Sequence, residues 1–364
     1  MKDAIPGRIL VIMLRRIGDV LLTTPAVRAL RREFPKARID FLTEGPGAQI
    51  LRGNPDIDEV LTYRSGPLST LSWLAKVKGR YDWTVDFMGT PRSALLAFAT
   101  RSPIRAGPAH VLHRWAYNRP LRQSSTPCYS ALEKIKVLRH LGLSPDESDH
   151  LAVLRIPEDS ERFAAVALAR LIGTTTWPLI ALLPASRRVT RQWPARSYAE
   201  LGRRLRESHG ANLLVCWGPG EKELALEVAS GIGPGAYLAP PTPDLMHLAA
   251  LLRSCRMAVT NCNGPKHIAV AAGIPTLTIH ASSDPACWNP PDATRHPFIR
   301  LESLHCIGCR RNRCPYALEC LRGLPVEEVH AAAGRLFEAA AMGSPSSERG
   351  RPPSALGAAR AGKT

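Results

Sequence analysis

The sequence predicts an α/β protein made of two doubly wound units in tandem. The first unit opens on GRILVIML (residues 7–14) and the second on PLIALLP (residues 178–184). Both stretches are continuously apolar, as strands buried on both faces of a parallel sheet are. After each of them, helical stretches alternate with further strands, which indicates βαβ units. The length of 364 residues also favours two domains over one.

We predict a first Rossmann-like domain over residues 1–165, a second over residues 166–342, and a disordered tail rich in Ser, Pro, Gly and Arg over residues 343–364. In the first unit and the join that follows it, further strands are predicted at 37–43, 58–63, 81–87 and 150–156, and helices at 18–32, 67–79, 91–100, 129–141 and 160–173. In the second unit, further strands are predicted at 211–218, 257–261 and 275–281, and helices at 195–208, 221–230, 244–255, 264–273 and 326–343.

The alternation lapses between Arg101 and Tyr129, a stretch rich in Arg, His and Pro. It is either a loop region that faces an acceptor molecule or a solvated irregular connection.

The composition is that of a soluble globular protein, with 45% apolar and 22% charged residues. No apolar run approaches the ~18 residues of a membrane span. The early run ILVIML is followed by Arg15, Arg16 and Asp19 rather than by small residues typical of a cleavage site. We therefore expect a cytoplasmic protein.

The formal net charge is +17, and the chain without its last 22 residues still carries +14. Nucleic acid, an anionic membrane surface or acidic substrates would each explain such a charge, as would compositional drift toward Arg. Nucleic acid is the weakest of these explanations. Aromatic residues make up only 6% of the chain, and no helix-turn-helix, zinc-finger or RNP-type pattern is present.

Ligand sites of doubly wound sheets lie beyond the carboxyl ends of the strands, and four loops there carry candidate residues. In the first loop, Gly18 allows a sharp turn and Asp19 follows at a helix start. Asp19 is either an acid favoured by the helix dipole or a general base that faces the cleft.

The second loop contains Ser186 with the cations Arg187, Arg188 and Arg191 ahead of a helix. Cations beside a helix N-terminus are a common way to hold phosphate, although a solvated basic loop is the simpler alternative. In the third loop, Glu221 follows a glycine-rich turn, where it either accepts two ribose hydroxyls or simply favours the helix dipole.

The fourth loop, NCNGPKH, places Asn263 and Gly264 before a helix whose first amides can bind an anion. His267 lies in the first turn of that helix and can donate to a phosphate, or it can be a structural histidine.

Four segments together resemble the ADP-heptose:lipopolysaccharide heptosyltransferase family, which is glycosyltransferase family 9. They are RRIGDVLLTTPAVRALRREFPKARIDFLTE, PASRRVTRQWP, WGPGE and TNCNGPKHIAVAAGIPTLTIHASSDP. The resemblance covers about Arg8 to Val329. It implies a GT-B fold, in which two Rossmann-like domains face a cleft. It also implies inverting transfer of a heptose, or a related sugar, from an ADP-sugar to a lipopolysaccharide core or similar lipid-linked glycan.

The resemblance assigns roles to individual residues. Asp19 matches the catalytic base, with Arg15 and Gly18 on the acceptor side. Ser186 and Arg187 match donor-contacting hydroxyl positions, where Arg187 departs from the hydroxyl.

On the donor side, Arg191 matches a cation that contacts the phosphates, and Glu221 matches the acid that binds the ribose. Thr242 lies near a position that contacts the base. Gly264 and His267 match the diphosphate-binding turn.

One departure from the family lies in this turn. The family has an Asp and then Ser or Thr before the glycine, whereas this chain has Cys262 and Asn263, and Lys266 adds a cation. The donor can therefore differ, or activity can be reduced. A Cys262 nucleophile with His267 as its base lacks an evident third orienting group.

Four of the nine cysteines cluster in LHCIGCRRNRCPYALEC, at positions Cys306, Cys309, Cys314 and Cys320. CxxC can bring two thiolates to one zinc ion or iron–sulfur cluster. Reduced thiols or a structural bridge are the alternatives, because the later spacings are looser than in a zinc ribbon.

We expect an enzyme that needs no cofactor for its chemistry. Its expected partners are a nucleotide-sugar donor, an anionic lipid-linked glycan acceptor and the inner-membrane surface, to which it would bind peripherally from the cytoplasm; nucleic acid is not among them. Two alternatives remain: a catalytically impaired member that binds a nucleotide sugar or glycan, and a GT-B epimerase or phosphorylase-type enzyme.

Overall fold

The computed structural model describes residues 5–64, 66–173 and 177–342, in which two parallel sheets are present. The first sheet contains β1 (Arg8–Ile12), β2 (Arg38–Glu44), β3 (Glu59–Tyr63), β4 (Trp83–Asp86), β5 (Ile104–Pro108) and β6 (Arg119–Leu121). The second contains β7 (Leu179–Leu183), β8 (Asn212–Val215), β9 (Ala236–Leu238), β10 (Met257–Asn261), β11 (Thr276–Ile279) and β12 (Phe298–Ile299).

The two sheets have the same topology. Their orders are β3-β2-β1-β4-β5-β6 and β12-β11-β10-β7-β8-β9. If the strands of the second sheet are renumbered from β7 and read from the β9 edge, the two orders are identical. This order is that of the dinucleotide-binding Rossmann sheet. The prediction of two tandem doubly wound units is confirmed.

Helices cover both faces of each sheet. In the first half they are α1 (Ile17–Leu21), α2 (Thr24–Glu33), α3 (Gly45–Ile50), α4 (Pro67–Val77), α5 (Pro91–Ala99), α6 (Ser130–Lys136) and α7 (Glu158–Ile172). In the second half they are α8 (Ala195–His209), α9 (Lys222–Ile232), α10 (Leu245–Arg253), α11 (Gly264–Ala271), α12 (Pro285–Trp288), α13 (Glu319–Arg322) and α14 (Val326–Met342). The central strands β1 and β7 are buried almost throughout, which explains their unbroken apolar sequences.

Two sequence predictions are wrong. The stretch from residue 101 to 129 contains β5 and β6, which are short and interrupted by Gly and Pro; Pro120 is tolerated because β6 is an edge strand. Residues 150–156 form no strand, although Ala152, Leu154 and Ile156 pack against the apolar core. Their alternation reflects burial rather than strand pairing.

The predicted helix over residues 18–32 is divided into α1 and α2, with Leu22 and Thr23 between them. The predicted tail over residues 343–364 lies outside the described residues. The predicted domain division between residues 165 and 166 falls inside α7, which packs against α10 of the second unit. The division itself stays a prediction.

The order of strands reverses beside β1 in the first sheet and beside β7 in the second, between β1 and β4 and between β7 and β10. Loops that follow these strands diverge and leave a crevice at the carboxyl edge of the sheet. Three of the four candidate loops follow β1, β7 and β10, and the glycine-rich one follows the neighbouring β8.

Candidate active site

The loops after β1 and β10 meet across the cleft between the two units. A β-carbon built on Gly18 would lie 2.7 Å from Cδ2 of His267, so no larger residue fits without movement of the ring. A β-carbon on Gly264 would lie 3.6 Å from Cβ of Ile17. The N-terminal ends of α1 and α11 are therefore brought together at this point.

Asp19 lies in the first turn of α1 and is partly exposed. The residue that caps this helix is Arg16, and it makes no side-chain capping bond. In the described part of the chain, the Asp19 carboxylate has neither a hydrogen-bond partner nor an ion pair, although its carbonyl accepts a hydrogen bond from Oγ1 of Thr23 at 2.7 Å. The carboxylate is thus available to a ligand, with the exposed Arg15 beside its loop.

Lys134 is a buried cation near Asp19 that was not predicted from the sequence. Its ammonium donates to Oγ of Ser130 at 2.7 Å, and no carboxylate pairs with it in the described residues. Burial lowers the pKa of Lys134, while the charges of Asp19 and Glu133 act in the opposite direction. The sequence indicated only that Lys134 lies in a predicted helix over residues 129–141, which gives no sign of a cleft.

His267 is buried and neutral. Burial, followed by the charges of Lys266 and Lys134, holds the pKa of its imidazole well below the usual range. Its Nδ1 has no hydrogen-bond partner in the described residues, and its ring meets Trp288 edge-on at a centroid distance of 6.2 Å. A neutral ring with an unpaired nitrogen can donate one hydrogen bond to an anion.

Asn263 caps α11 and joins two candidate loops. Its Oδ1 accepts from the amide of Lys266 at 2.9 Å, and its Nδ2 donates to the carbonyl of Ala185 at 2.8 Å. Cys262 is buried beside it and makes no hydrogen bond to any residue that the structure describes. The turn before Gly264 is therefore fixed by the side-chain amide of Asn263.

Lys266 points away from solvent and ties α11 to the segment around α12. Its ammonium donates to the carbonyl of Trp288 and, at 3.5 Å, to Oδ1 of Asn289. Burial lowers the pKa of Lys266 to about 8, against an opposing contribution from Cys262. This lysine is a structural cation rather than an exposed one.

The loop after β7 presents arginines to the cleft. Ser186 organises it, because its hydroxyl accepts from the amide of Arg188 at 3.3 Å. Arg187 is exposed, whereas Nε of Arg191 is buried without a partner in the described residues. Burial and then the charges of Arg191 and Arg16 lower the pKa of Arg188, so arginines of both units share one electrostatic environment.

The loop after β8 places Glu221 directly before α9. Its Oε2 accepts from the amide of Gly218 at 2.9 Å, which closes the loop on itself. Thr242 lies between β9 and α10 and is partly exposed.

The cysteine segment is anchored to the donor-side loops. The amides of Gly308 and Arg310 donate to the carbonyls of Ala281 and Ser282 at 2.9 and 2.7 Å, and Oγ1 of Thr190 donates to the carbonyl of Arg311 at 2.8 Å. All nine cysteines are free, which excludes a structural bridge in this conformation.

The candidate ligands Cys306, Cys309, Cys314 and Cys320 are close enough to interact electrostatically. The pKa of Cys320 is raised to about 11, first by burial and then by the other three. In the described ranges, however, no three His, Cys, Asp or Glu side chains converge as a metal ion would require.

Among the residues that the structure describes, the cleft thus combines the unpaired carboxylate of Asp19, several cations from both units, the amides at the start of α11 and the unpaired Nδ1 of His267. The amides and cations suit a diphosphate, and the carboxylate opposite suits activation of a hydroxyl. Two Rossmann-like units arranged around such a cleft define a GT-B glycosyltransferase.

The chain belongs to glycosyltransferase family 9, the heptosyltransferases, whose sequence profile matches residues 72–318. It is 26% identical over 332 residues to lipopolysaccharide heptosyltransferase 1 of Pseudomonas aeruginosa, covering 85% of this chain and 88% of that protein. The family resemblance predicted from the sequence is confirmed.

Solved structures agree with this assignment. The family 9 glycosyltransferase of Veillonella parvula superposes with a TM-score of 0.80 and 25% identity over 93% of this chain and 99% of its own. The Escherichia coli heptosyltransferase WaaC with ADP superposes with a TM-score of 0.66 and 22% identity over 92% of this chain and 99% of its own. These superpositions confirm the GT-B fold. Among the helices of the described residues, none combines the length and apolarity needed to cross a bilayer.

Proposed function

We propose that this enzyme moves a heptose, or a related sugar, from an ADP-sugar to a lipopolysaccharide core or similar lipid-linked glycan, with inversion at the anomeric carbon. One observation carries the proposal: the contact of Gly18 with His267 sets the helix that bears Asp19 against the helix that begins at Gly264. A base and an anion site from different units thereby share one cleft.

On the donor side, the first amides of α11, the unpaired Nε of Arg191 and the unpaired Nδ1 of His267 would bind the diphosphate. Glu221 would accept hydrogen bonds from the ribose through the oxygen that Gly218 does not use. The Escherichia coli heptosyltransferase that was solved with ADP supports a nucleotide in this cleft.

Transfer would proceed by one direct displacement. Asp19 takes the proton of the acceptor hydroxyl, whose oxygen attacks the anomeric carbon. The bond from that carbon to the diphosphate oxygen breaks on the opposite face, which inverts the configuration and releases the nucleoside diphosphate. Proton removal by a positioned carboxylate contributes about 10²–10⁴ in rate, and donors to the leaving group add electrostatic stabilisation.

The acceptor would be an anionic glycan at the cytoplasmic face of the inner membrane. Arg15, Arg16 and Lys134 place cations on the Asp19 side of the cleft, which suits a negatively charged acceptor. No metal is needed for this route.

Cys262 motivates a second candidate, a member that binds a nucleotide sugar without efficient transfer. The buried thiol makes no hydrogen bond within the described residues, and it stands where the sequence resemblance implies a carboxylate. If this loss impairs catalysis, Cys262→Asp should raise the transfer rate; an unchanged low rate would leave the binding role as the better account.

The decisive experiment combines titration calorimetry with ADP, UDP and GDP and a transfer assay with ADP-heptose and a heptose-free core acceptor. We expect preference for ADP, and we expect Asp19→Asn to bind ADP as the wild type does while transfer falls by about 10²–10⁴. Full activity in Asp19→Asn would overturn the role of the base, and no binding of any nucleotide would overturn the function.

A further inference from the structure

An exposed apolar cluster lies on the first unit and shares no residue with the cleft. Its side chains are Leu95 and Phe98 on α5 and Leu112 and Trp115 in the segment after β5, and they are 38, 47, 97 and 58% exposed. The rings of Phe98 and Trp115 meet edge-on at 5.2 Å, so the two elements form one continuous surface.

The part of the chain that carries this cluster is rich in arginine and contains no carboxylate side chain. From residue 87 to 132 the chain has six Arg and not one Asp or Glu. The guanidinium of Arg105 lies 5.8 Å from the Phe98 ring, and Arg114 is exposed beside Trp115. We call these six residues (Leu95, Phe98, Arg105, Leu112, Arg114 and Trp115) the apolar–arginine patch.

We propose that the apolar–arginine patch docks the enzyme onto an anionic phospholipid bilayer. Leucine, phenylalanine and tryptophan side chains gain by entering the boundary between headgroups and acyl chains, and the tryptophan ring suits that boundary in particular. The exposed Arg114 matches an anionic headgroup, whereas the guanidinium of Arg105 is held beside Phe98 by hydrogen bonds to the carbonyls of Ala116 and Ser102. A nucleic acid would satisfy only the cations, and a soluble protein partner would need both an apolar surface and acids placed around it.

The location of the patch connects docking to catalysis. The segment that carries Leu112 and Trp115 leaves the carboxyl end of β5, which is the sheet edge where the Asp19 loop leaves β1. Only β4 lies between these two strands, so the strand ends are about 10 Å apart. A docked enzyme would hold its base close to the bilayer surface, and this role rests on the proposed lipid-linked acceptor.

The test is sedimentation of the full-length protein with vesicles of phosphatidylglycerol and phosphatidylethanolamine, compared with vesicles of phosphatidylcholine alone. We expect binding to the anionic vesicles that weakens with salt. The double substitution Leu112→Ser with Trp115→Ser should weaken it at least about tenfold, and Arg114→Ser should weaken it to a smaller extent.

Matched controls lie outside the patch. Leu226→Ser on α9 removes an exposed leucine and Arg335→Ser on α14 removes an exposed arginine, and both should bind like the wild type. Equal binding by the double variant and Leu226→Ser would overturn the proposal. So would absence of vesicle binding by the wild type, or a change of oligomeric mass in the double variant with vesicle binding intact.

Transfer assays separate this proposal from the proposed function. The double variant should keep its rate on a deacylated, soluble core glycan and lose it on acceptor embedded in anionic vesicles. Patch-dependent vesicle binding without transfer to either acceptor would remove the function and leave the docking surface. Transfer by the double variant to both acceptors at wild-type rates would support the proposed function and overturn the docking surface.

Discussion

At the scale of single residues, Gly18 shows how little space the site leaves. The missing side chain lets the His267 ring lie against the start of α1. From the sequence, Gly18 is expected to serve through its backbone freedom, but the close approach of the His267 ring is the stronger requirement. That contact joins different units, so no local pattern could reveal it.

Substitution of Gly18 by Ala should weaken ADP binding. The new methyl group would displace the His267 ring, and we expect affinity to fall by about tenfold, with a stability cost of about 1–3 kcal/mol for overpacking. Calorimetry and chemical denaturation measure the two effects. Gly45→Ala, at the start of α3, is the matched control because a β-carbon there meets nothing within 4 Å. Equal ADP affinity of both variants would contradict the role of the contact.

Lys266 should make stability depend on pH. Its pKa is about 8 in the folded protein and 10.5 as the ordinary value, so the unfolded chain holds the proton over a window in which the folded protein has lost it. The free energy of unfolding therefore rises with pH across this window. Lys266→Gln has no proton to lose, so the stability of the wild type relative to this variant should increase by up to roughly 3 kcal/mol from pH 8 to 10.5.

Denaturant titrations at several pH values measure this difference. A difference that stays constant from pH 7 to 11 would show that Lys266 holds its proton in the fold. A difference in the free energy of unfolding that decreases as the pH rises would show that the linkage has the opposite sign.

At the scale of elements, the long apolar strands and the helices that follow them could be predicted, because burial on both faces leaves an unbroken apolar run. The short edge strands could not. Each of β6, β9 and β12 has two or three residues, and pairing with a longer neighbour defines it. The cysteine segment is a similar case, since its anchoring on the carbonyls of Ala281 and Ser282 uses backbone groups that no side-chain pattern records.

Thr190 should connect the cysteine segment to the arginine loop. Its buried hydroxyl donates to the Arg311 carbonyl at 2.8 Å and accepts from Oγ of Ser282 at 3.1 Å. Thr190→Val should therefore cost about 1–2 kcal/mol of stability and reduce ADP affinity through Arg191. Thr278→Val is the control, because that buried hydroxyl has no partner in the described residues and its loss should be neutral or stabilising. Thermal denaturation that ranks the two variants in the opposite order would refute this connection.

At the scale of the whole molecule, the sequence predicted two similar units and the sheet edges from which the candidate loops leave. It could not predict which groups from the two edges meet. Lys134 and Trp288 illustrate the gap. Trp288 packs against the cluster of Leu22 and Tyr129 from the other unit, and the charge of Lys134 acts on His267 of the other unit. Each is unremarkable within its own element and acquires a role only through the arrangement of both units.

The cross-unit contact at Gly18 also constrains how this sequence can diverge. The volume available at position 18 is set by a side chain encoded in the other half of the gene, so neither position can drift alone. A larger residue at position 18 fits only after the ring at position 267 has moved or been replaced by a smaller side chain. That earlier change removes the imidazole nitrogen from the cleft. Substitutions at positions 18 and 267 are therefore coupled. A chimera that takes one half from a distant relative must carry residues at these two positions that fit each other.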